Sequence, residues 1–143
     1  MTTKEYGNIG EAVALQEFVK RGIPVYLPFG ENERADMIAD FGGKLNKIQV
    51  KTSVGAEGGV IKFDLTACFS NKNVNYRHKY TSDEIDYFFC YNIKRDKSFL
   101  IKVPSEPIST IYIRYELPKN GQTKNIKFEK DYEFQTVIDE LTK

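Results

Sequence analysis

Two carboxylates, an amide and an ammonium stand where the local pattern sets polar groups against apolar ones: Glu11, Asp36, Gln49 and Lys51. In "NKIQVKTS", residues 46–53, strand alternation sends Ile48 and Val50 to one face and Gln49 and Lys51 to the other. The runs "RADMIADF" and "LNKIQVKTS" flank "GGK", which reads as a β-hairpin tip using the tolerance of glycine for positive φ. With the turn inside residues 41–46, Asp36 falls opposite the Gln49 to Lys51 part of its partner strand. Glu11, Ala14, Leu15 and Phe18 stand at i, i+3, i+4 and i+7 of a helical segment, so an acid shares a stripe with apolar residues. Two carboxylates and neutral oxygens make a hard-oxygen site suited to Mg²⁺, which keeps waters and takes further ligands from phosphate. A neighbouring lysine can orient or deprotonate an attacking water, or neutralise charge growing on phosphorus oxygens. Together they suit metal-assisted phosphodiester hydrolysis. Two plainer readings stand beside this one: an Asp36–Lys51 surface ion pair worth less than ~1 kcal/mol, and a Glu11 that only complements the helix dipole.

The elements that must hold these groups follow from periodicity and punctuation. Residues 3–21 are helical in pattern and stop at Gly22 and Pro24. "PVYLPFG" is short and extended, "GVIKFDLTACFS" alternates as a strand, and "NKNVNYRHKY" is polar enough for a loop or extended tip. "IDYFFCYNI" and "SFLIKVP" flank "KRDK" as a second hairpin, and both are apolar enough for central strands. "STIYIRYEL" alternates, "PKNGQTKN" is a turn, and "YEFQTVIDELTK" is a short amphipathic helix. No repeat or linker interrupts residues 1–143, so the expectation is a single α/β domain with one long helix ahead of a mixed sheet.

Bulk properties exclude more than they select. At 143 residues and 41% hydrophobic, the chain is large enough for one buried core. Its 21 Lys and Arg nearly balance 20 Asp and Glu, so any attraction to a charged partner must be local. Cys68 and Cys90 lack metal-ligand spacing and read as buried thiols of a reducing compartment. The single histidine, His78, rules out nucleases built on paired histidines and reads as a surface residue. No run reaches the ~18 apolar residues of a membrane span, and "MTTKEYGNIGEA" lacks a signal-peptide core, so a cytoplasmic protein is expected.

Helix-borne "GNIGE", then Asp36, then "IQVK" after a hairpin resembles the PD-(D/E)xK nuclease superfamily, whose order is helix Glu, Asp, then (D/E)-x-K. Within it the sequence is most similar to the Q-x-K branch, which includes a cyanobacterial homing endonuclease encoded by a group I intron. The resemblance continues through "YTSDEIDYFFCYNIKRDKSFLIKVP" and "IYIRYELPKNGQTKNIKFEKDYEF". It implies a restriction-endonuclease-like mixed central sheet with an N-terminal helix carrying Glu11 and a short C-terminal helix. It also implies Glu11, Asp36 and Gln49 as metal-proximal residues, the Val50 carbonyl as a further ligand, Lys51 as the catalytic lysine, and Mg²⁺ or Mn²⁺ as cofactor. Ala35 replaces the motif proline, and Gln49 replaces an acid, which removes one negative charge from the site.

For a DNA substrate, basic and amide side chains should cluster away from the acids. Residues 65–82 contain no acid but hold Lys72, Asn73, Asn75, Tyr76, Arg77 and Lys79, and Arg114 follows on "IYIRYEL". Cutting both strands of a duplex needs two active sites, so self-association is expected. The resemblance implies a homotetramer on a pseudo-palindromic target; Tyr87, Phe88, Phe89, Tyr91 and the C-terminal helix are candidate contacts, although a hydrophobic core would use the same residues. The leading expectation is a site-specific, Mg²⁺-dependent homing endonuclease. Its alternatives on the same fold are a Holliday-junction-resolvase-like or restriction-type nuclease and a catalytically silent DNA-binding domain.

Overall fold

Thr2 starts the chain's long helix. Its hydroxyl accepts from the Glu5 amide at 3.2 Å while the Glu5 carboxylate accepts from the Thr2 amide at 2.8 Å, a reciprocal capping box. In the computed structural model helix α1 (Thr3–Lys20) then runs to a turn at Gly22, whose φ of 73° suits a residue without Cβ. The structure describes residues 1–71 and 74–143, with side chains for all of them except 69–71, 74 and 75. The buried stripe of α1 is Gly10, Ala14 and Phe18. Leu15, expected on that stripe, is 38% exposed, because the helix lies so close to the sheet that only a narrow line of small residues and Phe18 fits beneath it.

Strands β1 (Val25–Tyr26), β2 (Met37–Phe41) and β3 (Lys44–Ser53) form an antiparallel meander. The β2–β3 turn is Gly42–Gly43 with φ of 64° and 75°, the doubly positive conformation whose twist matches a two-residue hairpin. Its register pairs Phe41 with Lys44 and Met37 with Ile48, as the glycine pair dictates. The buried Asn46 amide donates to the Phe41 and Lys44 carbonyls at 3.0 and 2.9 Å and ties the turn down.

Strands β4 (Val60–Asp64), β5 (Thr66–Asn71) and β6 (Val74–Lys79) intervene before β7 (Tyr87–Asn92), which pairs with β3 in parallel. A parallel pair needs a crossover, here supplied by strands instead of the usual helix. Strand β8 (Lys97–Lys102) closes the order β1-β2-β3-β7-β8, and β9 (Thr110–Arg114) pairs with β4 beside the main sheet. The chain ends in α2 (Glu129–Tyr132) and α3 (Phe134–Leu141).

Several details differ from expectation. "GVIKFDLTACFS" is two strands that part at Leu65: β4 joins β9, while β5 joins β6 in a separate ribbon. The second half of "NKNVNYRHKY" is strand β6, since cross-strand pairing supplies what its polar composition hides. The C-terminal helix is interrupted at Glu133, which leaves helical geometry at ψ 137° and makes an isolated bridge to Phe99. Strand β8 is an edge of the five-stranded sheet instead of a central strand.

Hydrophobic residues fall into two cores on opposite faces of that sheet. One holds Ala14, Phe18, Ile48, Val50, Phe89, Phe134 and Ile138 beneath the helices; the other holds Ile61, Phe63, Phe88, Cys90, Phe99 and Ile113 beneath the β4–β9 ribbon. Strand β7 feeds both, which explains its unbroken apolar run. Phe88, Phe89 and Tyr91 are thereby core residues, as the core alternative expects, and Tyr87 packs half-buried at the margin. Of the two cysteines only Cys90 is buried; Cys68 is exposed on β5.

Candidate active site

The hairpin end remote from the glycine turn is where polar groups gather. The Asp36 amide donates to the Ile48 carbonyl at 2.8 Å, and Asp36 Oδ2 accepts from the Val50 amide at 2.8 Å. Both bonds fix Asp36 to the backbone of β3 just before β2 begins. Because Ile48 and Val50 are anchored in the helix-side core, Gln49 and Lys51 project to the opposite face, where Gln49 is half-buried.

Glu11 arrives from α1. Gly10 makes this possible: a Cβ there would overlap the Thr52 hydroxyl and sit 3.3 Å from Val50 Cγ1, so the bare backbone lets the helix touch β3. The Glu11 carboxyl is held above its ordinary range by burial, then by the Asp36 charge and a hydrogen bond with Asp36. Asp36 is raised too, because its burial outweighs the opposing Val50 amide, Lys51 charge and Glu11 hydrogen bond. Two carboxyls are therefore pressed together at a cost that a cation between them would relieve.

Lys51 is no surface ion-pair partner of Asp36. Its ammonium donates to the Thr66 carbonyl at 2.7 Å and lies over the Tyr80 ring, 5.2 Å from the centroid. Burial lowers its pKa, and the charges of Asp64 and Asp36 work against that. Asp64 was not singled out in the sequence, yet it organises this corner. It accepts from the Thr66 amide at 3.0 Å and hydroxyl at 2.6 Å, and pairs with Arg77 at 2.6 Å. Although burial opposes it, these Thr66 bonds and the Arg77 charge hold the Asp64 carboxyl low. Tyr80 belongs to the segment read as DNA-facing, yet it is buried; burial and then the Asp36 charge push its hydroxyl up to about 12, so it stays a neutral phenol. The available signal was strand register: Thr66 opposes Lys79 on the ribbon, which brings residues 64–66 and 77–80 together.

Among the described residues no group of three or more His, Cys, Asp or Glu side chains could hold a metal. Glu11 and Asp36 are the two acids at the site, so the remaining ligands of an ion there would be neutral oxygens, Gln49 and the Val50 carbonyl. That donor set fits Mg²⁺, which binds through one or two carboxylates and retains waters.

The expected DNA-facing residues are partly brought together. Arg77 and Lys79 oppose Cys68 and Thr66 and share one face of the β5–β6 ribbon, next to Lys51's anchor. Tyr76 is 53% exposed. Lys72 and Asn73, and the side chain of Asn75, lie outside the described residues. Arg114 is half-buried, with Nε donating to the Glu116 carbonyl at 3.1 Å, and Val60 opposes it on β4, where exposed Lys62 opposes exposed Tyr112. His78 is not a bare surface residue: its Nε2 lies 2.7 Å from Glu84 Oε1, and Glu84 also takes Arg34 Nε at 3.2 Å.

A comparison with curated proteins finds no match. Among solved structures the chain is similar to a bacterial homing endonuclease, I-Ssp6803I, with a TM-score of 0.74 at 20% identity, over 98% of this chain and 95% of that one. The mixed sheet with its leading helix is therefore the fold that the sequence resemblance implied. No helix among the described residues is long and apolar enough to cross a membrane. Residues 1–135 match the PD-(D/E)XK endonuclease family, and the chain belongs to that family of nucleases.

Proposed function

We propose that this protein is a site-specific, double-strand DNA endonuclease of the homing type, acting in the cytoplasm with Mg²⁺, or Mn²⁺ in its place. The observation that carries this reading is the meeting of Glu11, Asp36 and Lys51 at one end of the β2–β3 hairpin. When bound, the ion would neutralise charge on the phosphoryl oxygens and activate the attacking water. The chain's own residues do the rest. Glu11, Asp36, Gln49 and the Val50 carbonyl supply its oxygen ligands. Val50's amide locks the Asp36 carboxylate in place, so its orientation does not depend on substrate. Lys51, held on the Thr66 carbonyl, presents an ammonium that offsets charge building on phosphorus or orients the water. Arg77, Lys79, Tyr76 and Arg114, with Lys72, Asn73 and Asn75, grip the duplex.

A silent DNA-binding domain gains nothing from two carboxyls pressed together beside a half-buried ammonium, which is why the enzyme reading is preferred. The homing assignment and a homotetramer on a pseudo-palindromic target rest on the resemblance and on the homing endonuclease among the similar structures. Purified protein with plasmid DNA and Mg²⁺ should cleave at defined sites, and Lys51→Met and Asp36→Ala should each lower the rate at least ~100-fold. Equal nicking by wild type and both variants would sink the assignment. Cleavage only at four-way junctions, or only beside a cognate methyltransferase's site, would replace homing with resolution or restriction. Light scattering of the free protein tests the tetramer.

A further inference from the structure

Lys51 has one hydrogen bond, to a backbone carbonyl, and one ring beneath it. The carbonyl fixes distance but a single acceptor does not fix the direction of a flexible four-carbon chain. The ring supplies the second restraint: Tyr80 is 5% exposed, and it meets Phe88 edge-on at 5.8 Å and His78 edge-on at 5.7 Å, contacts that restrict its plane. His78 is in turn held on Glu84, which also accepts from the Thr81 amide at 3.0 Å, directly after Tyr80 in the chain. Tyr80 therefore sits on a braced platform at the exit of β6, and its face is turned toward the ammonium.

We propose that Tyr80 is the positioning residue of this active site, its ring confining the Lys51 ammonium between the Thr66 carbonyl and the reacting phosphate. The inference rests on the nuclease reading for its catalytic consequence, but the contact itself is independent of that reading. An aromatic face attracts an ammonium more when the pair is shielded from water, and here Tyr80 is buried and Lys51 half-buried. The ring is what matters, so the hydroxyl is dispensable.

The test compares Tyr80→Phe with Tyr80→Leu, both of which keep a large apolar side chain in the second core. Two readouts are taken. The first is the proton shift of the Lys51 ε-methylene in selectively labelled protein, which the ring current displaces upfield; the shift should persist in Tyr80→Phe and vanish in Tyr80→Leu. The second is single-turnover cleavage of plasmid DNA with Mg²⁺: Tyr80→Phe should stay within about twofold of wild type, and Tyr80→Leu should lose about tenfold in rate with unchanged DNA affinity. Equal losses in both variants would overturn the proposal by assigning the role to the hydroxyl. So would a loss confined to DNA affinity, or an ε-methylene shift indifferent to the ring. A wild-type protein that shows the ring-current shift but cuts no DNA would refute the proposed function while leaving the contact in place.

Discussion

Gly10→Ala should injure this protein twice. A Cβ at residue 10 would overlap the Thr52 hydroxyl and lie 3.2 Å from Thr52 Cβ and 3.3 Å from Val50 Cγ1, so α1 must lift away from β3. Overpacking of this kind costs about 1–3 kcal/mol, and an overlap with a buried hydroxyl on a strand belongs at the upper end. Alanine returns roughly 0.5–1 kcal/mol, because it is the better residue inside a helix. The net loss is about 2 kcal/mol, or roughly 5–10 °C in melting temperature for a chain of this size. The catalytic injury is larger, because the next residue is Glu11. A shift of ~1 Å in a site residue can cost about 100-fold in rate, so cleavage should fall much further than stability. Thr52 provides the control. Its hydroxyl is buried without a hydrogen-bond partner, and Thr52→Ala removes both that unsatisfied group and the worst contact. Gly10→Ala combined with Thr52→Ala should therefore recover most of the melting temperature and most of the single-turnover rate. A double variant as impaired as Gly10→Ala alone would refute the claim that Thr52 sets the helix–strand spacing. A Gly10→Ala protein that melts and cuts like wild type would refute the claim that this spacing positions Glu11.

Glu11→Gln should raise the melting temperature at neutral pH while lowering cleavage, because the Glu11 pKa is raised in the folded state. A raised acid binds more protons folded than unfolded, so wild-type stability is favoured below the ordinary carboxylate range and declines as pH climbs through the raised value. The advantage of Glu11→Gln should thus shrink on acidification; an advantage that is constant from pH 8 to about 4 would dissociate it from this titration. Saturating Mg²⁺ should raise the wild-type melting temperature, by the equivalent of ~2.7 kcal/mol when the ion is at about 100 times its dissociation constant. Asp36→Asn should lose that gain, and an equal gain in both proteins would place the ion elsewhere. Arg77→Ala should weaken DNA binding and reduce the slope of log affinity against log salt by about 1, whereas Lys51→Met should leave affinity nearly unchanged. An unaltered salt slope would remove Arg77 from the interface and leave it as Asp64's partner alone.

What the sequence made legible is what short-range pattern encodes. The period-2 alternation of "NKIQVKTS" separates the anchored side chains from the polar ones, and a turn within residues 41–46 sets Asp36 opposite the Gln49 to Lys51 part of β3, where it accepts from the Val50 amide. Leu15 misled because helical spacing reports which residues share a face and not how wide the contact is; Gly10 and Ala14 narrow it until Leu15 lies outside. The break at Glu133 was hidden for a related reason, since it depends on a bridge to Phe99, distant in the chain, whereas β6 pairs with its neighbour β5 and was masked by its polar composition.

The same distinction explains why the chemical groups of the site were legible and their restraints were not. Glu11 is conspicuous because a charge sharing a stripe with apolar residues is costly and calls for a reason, and Asp36 and Lys51 because the hairpin sets them opposite one another. Tyr80 and the Thr66 carbonyl carry no such mark, as an aromatic residue near a strand end and a backbone oxygen are ordinary everywhere. Yet Lys51 without them is only a charge on a flexible stem, and the Asp64–Arg77 pair that braces Thr66 comes from a segment with the composition of a DNA-binding loop. Arg77 accordingly faces two demands, on Asp64 and on phosphate. If DNA draws it off Asp64, the freed carboxylate sits nearer in charge to Lys51 than any other acid, and Asp64→Asn should then slow cleavage more than it alters binding. A variant that binds more weakly but cuts bound DNA at the wild-type rate would show that Asp64 serves Arg77 alone.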